Sequence, residues 1–412
     1  MYSPDRIFDW IDSIQQPASP AKNGCRSPSP QSPPSSRKRC RLPTPAMSQT
    51  PSKRPRMDAV DEEEETPRPS RPAPSSKRSR TQSSHSSASS SARSPTKTLA
   101  NLALSAHIEP VNIMEILPNP AKALGDSLHS LFAALPSEVH DNLIPSCLKA
   151  KLEEEAPWFR ILRARDHLFY EDTRPPLRTE MELDNVGNIV AFSHECNIQR
   201  ESETSWNELV HSQVLFTALR DCEPAVGWRN VSRATISPRD LLSQFSGSGM
   251  QSLAQQSRIV DYAVYLKISA SQRLEALLGE TETESVNATA YEVVRLRPIA
   301  VSIETKKPDT ADANKALTQL ATWTSLQLKR FHQLTPGKRL LGVPMILVLG
   351  FDWDLYFFVP TDDDSAQAKI YGPVSIGNTR THLNTYRLLQ SMRAVAKWTA
   401  TEFDSWWSQV LE

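Results

Sequence analysis

Pro298-Ile299-Ala300-Val301-Ser302-Ile303-Glu304-Thr305-Lys306 is the stretch that decides the architecture of this chain. Side chains of a strand alternate between its two faces, so Ile299, Val301, Ile303 and Thr305 point one way and Ala300, Ser302, Glu304 and Lys306 the other. The first set is apolar and β-branched, which predicts a strand laid on a core. On the second face the small Ala300 and Ser302 leave room beside Glu304 and Lys306. A carboxyl group and an ammonium group inside an apolar strand are costly to bury unless they pair or hold a ligand.

Upstream, Ile259–Ile268 is apolar at both parities and reads as a strand buried on both faces, with Asp261 near its start. If it neighbours the first strand, Asp261 converges on Glu304. Two carboxylates with a gap between them suit a hydrated Mg²⁺, which takes oxygen ligands and keeps most of its water. The ion would polarise a phosphoryl oxygen, and Lys306 would position water and neutralise charge on phosphate. The alternatives are an Asp261 paired with Arg258 or Lys267 and an ordinary Glu304–Lys306 ion pair on an edge strand, worth little. Lys307 faces the other way, as a solvated charge.

Downstream, Leu317, Leu320, Ala321, Thr324, Leu328 and Phe331 form one stripe of a helix over 312–334, ended by Pro336-Gly337. Strands follow at Pro344–Leu349 and Leu355–Val359, joined as a hairpin, and another at Lys369–Val374. A long helix over about 380–409 closes the chain. Before the first strand the apolar spacing predicts helices over 120–170, 179–198 and Trp206–Leu219. The order gives an α/β fold, a mixed central sheet flanked by helices. The polar stretch with Glu280, Glu282 and Glu284 is an insertion between the two strands of the site.

These residues carry a resemblance. Asp261 followed by Glu304-Thr305-Lys306 resembles the acid and (D/E)xK signature of the PD-(D/E)xK nuclease superfamily. Val260-Asp261-Tyr262, Ser302-Ile-Glu-Thr-Lys-Lys-Pro308 and Gln319-Leu-Ala-Thr-Trp-Thr-Ser325 are similar to a fungal family of nuclease-like domain proteins. Ser205-Trp-Asn-Glu-Leu-Val-His211 and the aromatic end from Lys397-Trp398 to Trp406-Trp407 fit the same pattern. The resemblance covers roughly residues 120–412. It implies a restriction-endonuclease-like fold and metal-dependent phosphodiester hydrolysis, with Mg (or Mn) as cofactor, Asp261 and Glu304 as metal ligands and Lys306 as the catalytic lysine. Val260 stands where the motif has proline, and the 43 positions from Asp261 to Glu304 demand an insertion.

The resemblance further implies a metal-completing glutamate on the first core helix, which is Glu208, and a site-supporting Gln319. Glu208 has a second reading, since Ser205 and Glu208 also make a capping box. Trp323, four residues after Gln319, reads as core. His211 reads as a partly buried helix histidine, and Asp362-Asp363-Asp364 as a solvated hairpin loop.

The chain has 47 Lys and Arg and 47 Asp and Glu, but they are unevenly placed. Residues 1–98 hold 17 basic and 9 acidic side chains and 16 of the 32 prolines; the remainder holds 30 basic and 38 acidic. The first segment lacks the apolar surface to offset its ordering entropy and is expected to be a disordered arm. Its one apolar cluster is Ile7-Phe8-Asp9-Trp10-Ile11. Residues 99–200 are expected as a helical extension and 201–412 as the core.

Three basic clusters stand in the arm: Arg37, Lys38, Arg39 and Arg41; Lys53, Arg54 and Arg56; and Lys77, Arg78 and Arg80. They suit a nuclear-import receptor or nucleic-acid phosphates, and the Ser/Thr-Pro pairs beside them suit phosphorylation that would weaken both. The longest apolar run, Met345–Leu349, is far short of the ~18 residues of a membrane span. Five scattered cysteines without a CxxC argue against a disulfide framework or zinc site and for a reducing, intracellular setting. Two functions follow: a metal-dependent nuclease acting on DNA in the nucleus, or an inactive descendant that binds nucleic acid or a protein partner. The −8 balance of the folded part leans toward the second.

Overall fold

The computed structural model describes residues 103, 107–136, 141–160, 166–220, 224–236, 259–268, 271–308, 313–361 and 367–412. Two units separate, Met1–His85 and Ser86–Glu412, and the structure described here belongs to the second. The Ile7–Ile11 cluster, the basic clusters, the acidic run Asp61–Glu65, Arg258 and Asp362–Asp364 lie outside the described residues.

Seven strands make one mixed sheet: β1 (Ile108–Asn112), β2 (Val226–Asn230), β3 (Tyr262–Leu266), β4 (Ile299–Lys306), β5 (Val343–Leu349), β6 (Asp352–Pro360) and β7 (Ala368–Asn378). Their spatial order is β1-β7-β6-β5-β4-β3-β2. β4 pairs parallel with β5 and antiparallel with β3, and β1 pairs parallel with β7. The other neighbours are antiparallel. β3, β4 and β5 lie inside the sheet and are covered on both faces, which explains apolar residues at both parities.

The principal helices are α1 (Pro120–Ala134), α2 (Pro176–Gln199), α3 (Glu203–Trp206), α4 (Ser212–Leu219), α5 (Ser271–Glu280), α6 (Ala313–Leu334), α7 (His382–Trp398) and α8 (Asp404–Leu411). α3 runs into α4 through a π-helical turn, Asn207–His211. α6 packs on β4 and β5, where Thr324 Oγ1 reaches Met345 Sδ at 3.7 Å. α3 and the π turn meet the opposite face, where Trp206 meets Phe351 and His211 meets Trp353, both edge-on. Helices thus flank both sides of the sheet, the restriction-endonuclease-like arrangement expected. No described helix is long and apolar enough to cross a membrane.

The two edge strands depart from the sequence expectation. β1 falls where only helices were expected, and β2 where no strand was read. Each is short, pairs on one side only and carries a Pro or Gly, so neither shows a buried alternation. α1 is broken at Gly125, whose φ is 72°. The 380–409 helix is interrupted by a second π turn at Thr399–Phe403, beyond which Trp407 meets Phe331 edge-on at 5.2 Å.

β5 and β6 are joined by two residues, Gly350 and Phe351, a tighter hairpin than the sequence suggested. Gly350 has φ +56°, the left-handed value that the first central position of such a turn requires. A Cβ there would lie 2.3 Å from Pro308 Cγ. The insertion between β3 and β4 contains α5 and docks through Asn287. Its Nδ2 donates to Val294 O at 2.6 Å, and its Oδ1 accepts from Ile299 N at 2.9 Å and from Gln327 Nε2 at 2.8 Å. The long separation of Asp261 from Glu304 is therefore accommodated without displacing either strand.

Candidate active site

The centre of the site is the C-terminal end of β4. Period-2 geometry puts Glu304 and Lys306 on one face, and Lys306 Nζ donates to Glu304 Oε1 at 2.7 Å and to Thr305 O at 2.8 Å. The same ammonium lies 3.2 Å from Glu203 Oε2. Glu304 is 1% exposed, Lys306 16% and Glu203 38%, so the cluster opens to solvent through the lysine and Glu203. Glu304 Oε2 is buried with no hydrogen-bond partner among the described residues. Burial pushes the Glu304 carboxyl up to about 8, against the pull of the Lys306 ammonium; the nearby Asp261 carboxylate pushes the same way as burial. Burial alone would lower Lys306, but the carboxylates of Glu304 and Glu203 outweigh it and hold the ammonium above its usual value.

Asp261 immediately precedes β3. Its backbone N–H donates to Ile303 O at 3.1 Å, and its carbonyl accepts from Val231 N at 2.7 Å. Its side chain meets β4 at the middle residue of the tripeptide: Oδ2 accepts from Thr305 N at 2.9 Å and from Thr305 Oγ1 at 2.8 Å. The expected convergence on Glu304 is therefore indirect, through Thr305. Gln319, on α6, donates from Nε2 to Ile259 O at 2.7 Å and so ties down the approach to Asp261. Trp323 is fully buried in the core, and Lys307 is exposed.

The expected Glu208 and the glutamate that meets Lys306 are different residues of the same helical segment. Glu208 is exposed, and the glutamate beside Lys306 is Glu203, in the first turn of α3. The cause lies in the helix start. Ser202 is the N-cap, its hydroxyl accepting from Ser205 N at 3.2 Å, so the capping box from Ser205 to Glu208 does not form. A signal was present in Ser202-Glu203, a cap followed by an acid at the first helical position. His211 is fully buried; Nδ1 lies 2.9 Å from the Asn207 side-chain amide and Nε2 lies 2.9 Å from Gly350 O. Burial depresses its pKa to about 4, so the ring is neutral at ordinary pH.

The profile of the PD-(D/E)XK nuclease superfamily matches residues 154–404. The chain belongs to that superfamily. Comparison with curated proteins and with solved structures gives no match. The matched range contains Asp261, which immediately precedes β3, and Glu304-Thr305-Lys306, which ends the antiparallel neighbour β4. Nucleases of the superfamily typically use divalent metals. Among the described residues no three His, Cys, Asp or Glu side chains gather as a ready metal-binding group. The donor chemistry nevertheless fits a magnesium-type ion. Glu304 Oε2 is an orphaned acceptor, both side-chain bonds of Asp261 fall on Oδ2, and every donor on offer is oxygen.

Proposed function

We propose that this chain is a metal-dependent nuclease that hydrolyses phosphodiester bonds, with DNA as substrate and Mg²⁺ (or Mn²⁺) as cofactor. The observation that carries the reading is the Glu304–Lys306–Glu203 cluster at the open end of β4, with Glu304 Oε2 buried and without a partner. Such an oxygen is a strong site for a cation, because the low dielectric around it magnifies the attraction. Glu304 and Asp261 would hold the ion, which when bound would polarise the phosphoryl group and acidify a water.

The chain's own residues supply the rest. The Lys306 ammonium orients the attacking water and offsets charge building on the phosphate oxygens. Glu203 holds that ammonium from the solvent side. Gln319 and Thr305 keep Asp261 in register with the strand. The Ser302–Pro308 and Gln319–Ser325 stretches support a place in a fungal branch of the superfamily. The clusters at Arg37, Lys38, Arg39, Arg41, Lys53 and Arg54 support a nuclear location through an import receptor.

One observation favours a second reading, an inactive relative that binds nucleic acid or a protein: the segment after residue 98 carries 30 basic and 38 acidic side chains, whereas phosphate contacts need local positive charge. Incubating the purified full-length chain with supercoiled plasmid, linear duplex and single-stranded RNA, with and without Mg²⁺, separates them. Metal-dependent cleavage of DNA is expected. Salt-sensitive binding with no cleavage in Mg²⁺ or Mn²⁺ would establish the second reading instead.

A further inference from the structure

Thr305 belongs to a closed ring of hydrogen bonds that reaches well behind the carboxylates. Its Oγ1 lies 2.8 Å from Asp261 Oδ2 and 2.7 Å from the side-chain amide of Asn207, at the atom placed as Oδ1. That same amide atom lies 2.9 Å from His211 Nδ1. His211 Nε2 lies 2.9 Å from Gly350 O, and Gly350 N donates to Lys306 O at 2.7 Å. Lys306 follows Thr305 in the chain, so the ring closes on the tripeptide itself.

Counting hydrogens fixes its direction. A threonine hydroxyl has one hydrogen, and a carboxylate oxygen only accepts, so Thr305 donates to Asp261 and must accept from Asn207. His211 is sealed between Trp206 and Trp353 and is neutral, with one N–H. Gly350 O only accepts, so that N–H sits on Nε2, and Nδ1 must accept. Both neighbours of the Asn207 amide therefore require a donor. An amide NH₂ has two hydrogens, whereas an amide oxygen there would face two acceptors; which end of an amide points where is decided by such a network.

We infer that the Asn207 amide nitrogen, not its oxygen, sits between Thr305 and His211 and donates to each, making Asn207 and His211 positioning residues for Asp261. The donors then run without a break: Asn207 to Thr305, Thr305 to Asp261 Oδ2. With the Thr305 N–H also on Oδ2, that oxygen is pinned twice, and neither bond occupies Oδ1. The π turn makes this possible. Its i to i+5 bond, Ser212 N to Asn207 O, places Asn207 and His211 together, and Tyr262 OH donates to the same carbonyl at 2.7 Å. This role rests on the metal-dependent reading proposed above.

Long-range ¹H–¹⁵N spectra of the histidine side chains in the full-length protein at neutral pH test the ring without any substitution. The Nε2–H tautomer is expected for His211; an imidazolium or the Nδ1–H tautomer would overturn the assignment. Mg²⁺ titration calorimetry then tests its use. Thr305→Val keeps the shape and removes the hydroxyl, and is expected to weaken Mg²⁺ binding about tenfold. Asn207→Asp keeps the shape and removes both donors, and is expected to convert His211 to imidazolium and weaken Mg²⁺ at least as much. Unchanged Mg²⁺ affinity in Thr305→Val would overturn the positioning role alone. A parent chain that takes up no Mg²⁺ would overturn the nuclease reading, and the role with it.

Discussion

Lys306 Nζ stands 2.7 Å from Glu304 Oε1, while Oε2 of the same carboxyl is buried without a partner. The pair is half satisfied, and the unsatisfied half is an oxygen that a cation would complete. Glu304→Gln keeps the volume and removes the charge. Cleavage is expected to fall by about a thousandfold, the scale of losing a preorganised charge at a reacting phosphate. Above pH 8, where the buried carboxyl is charged, the melting temperature should hold or rise, because a half-satisfied buried charge is lost. Lys306→Ala should also abolish cleavage but destabilise the fold, since it takes the paired ammonium away from the buried Glu304. A plasmid-nicking assay beside a thermal melt checks both.

Glu304 also gives the metal-free protein a pH signature. Its carboxyl is pushed up from 4.5 to about 8 by burial. A folded value above the unfolded one means that its contribution is complete at low pH and is lost as pH rises from about 4.5 through 8. Chelated protein should therefore melt at a lower temperature at pH 8.5 than at pH 6, and Glu304→Gln should reduce the difference. An equal difference in both proteins would contradict the burial argument.

His211 acts in the opposite direction. Burial lowers it from 6.5 to about 4, so its contribution is complete above pH 6.5 and is lost as pH falls through 4. Over its whole titration this is worth about 3 kcal/mol. Urea unfolding at pH 6.5 and pH 4.5 should show a drop of about 2 kcal/mol in the parent and a much smaller one in His211→Gln.

Gly350 links the site strand to the helix layer, donating to Lys306 O and accepting from His211. Its φ of +56° and the 2.3 Å approach of Pro308 to a Cβ position leave no room for a side chain. Gly350→Ala is expected to cost about 2 kcal/mol or more. Denaturant unfolding measures that cost, and cleavage should fall with it because both bonds of the turn are disturbed.

Gln319→Ala leaves Ile259 O without its donor and should cost about 1–2 kcal/mol. The Mg²⁺ affinity should weaken as well, since Ile259 lies two residues before Asp261. Calorimetry on Gln319→Ala, compared with Thr318→Ala on the same helix, separates that effect from general loss of stability.

The strands carrying Glu304, Lys306 and Asp261 were legible because central strands bury both faces, and a charged residue among Ile299, Val301, Ile303 and Tyr262 stands out. Period-2 alternation alone predicted the Glu304–Lys306 contact. β1 and β2 were not legible, since an edge strand pairs on one side and tolerates Pro110 or Gly227. Glu203 did not stand out beside Glu208 because Ser202 and Ser205 offer two rival helix starts three residues apart, of which the Ser202 cap forms. The Asn207–His211 pair depends on a π turn, for which no residue type is diagnostic. Its partners, Thr305 and Gly350, are 98 and 139 positions away in the chain.

The central claim is most directly tested by Mg²⁺-dependent cleavage of supercoiled plasmid by the purified full-length chain, run beside Glu304→Gln at equal concentration. Nicked or linear product from the parent, absent with chelator and absent with the variant, is the expected result. Equal cleavage by the two proteins, or none by a parent that binds the plasmid in Mg²⁺ and in Mn²⁺, would contradict it.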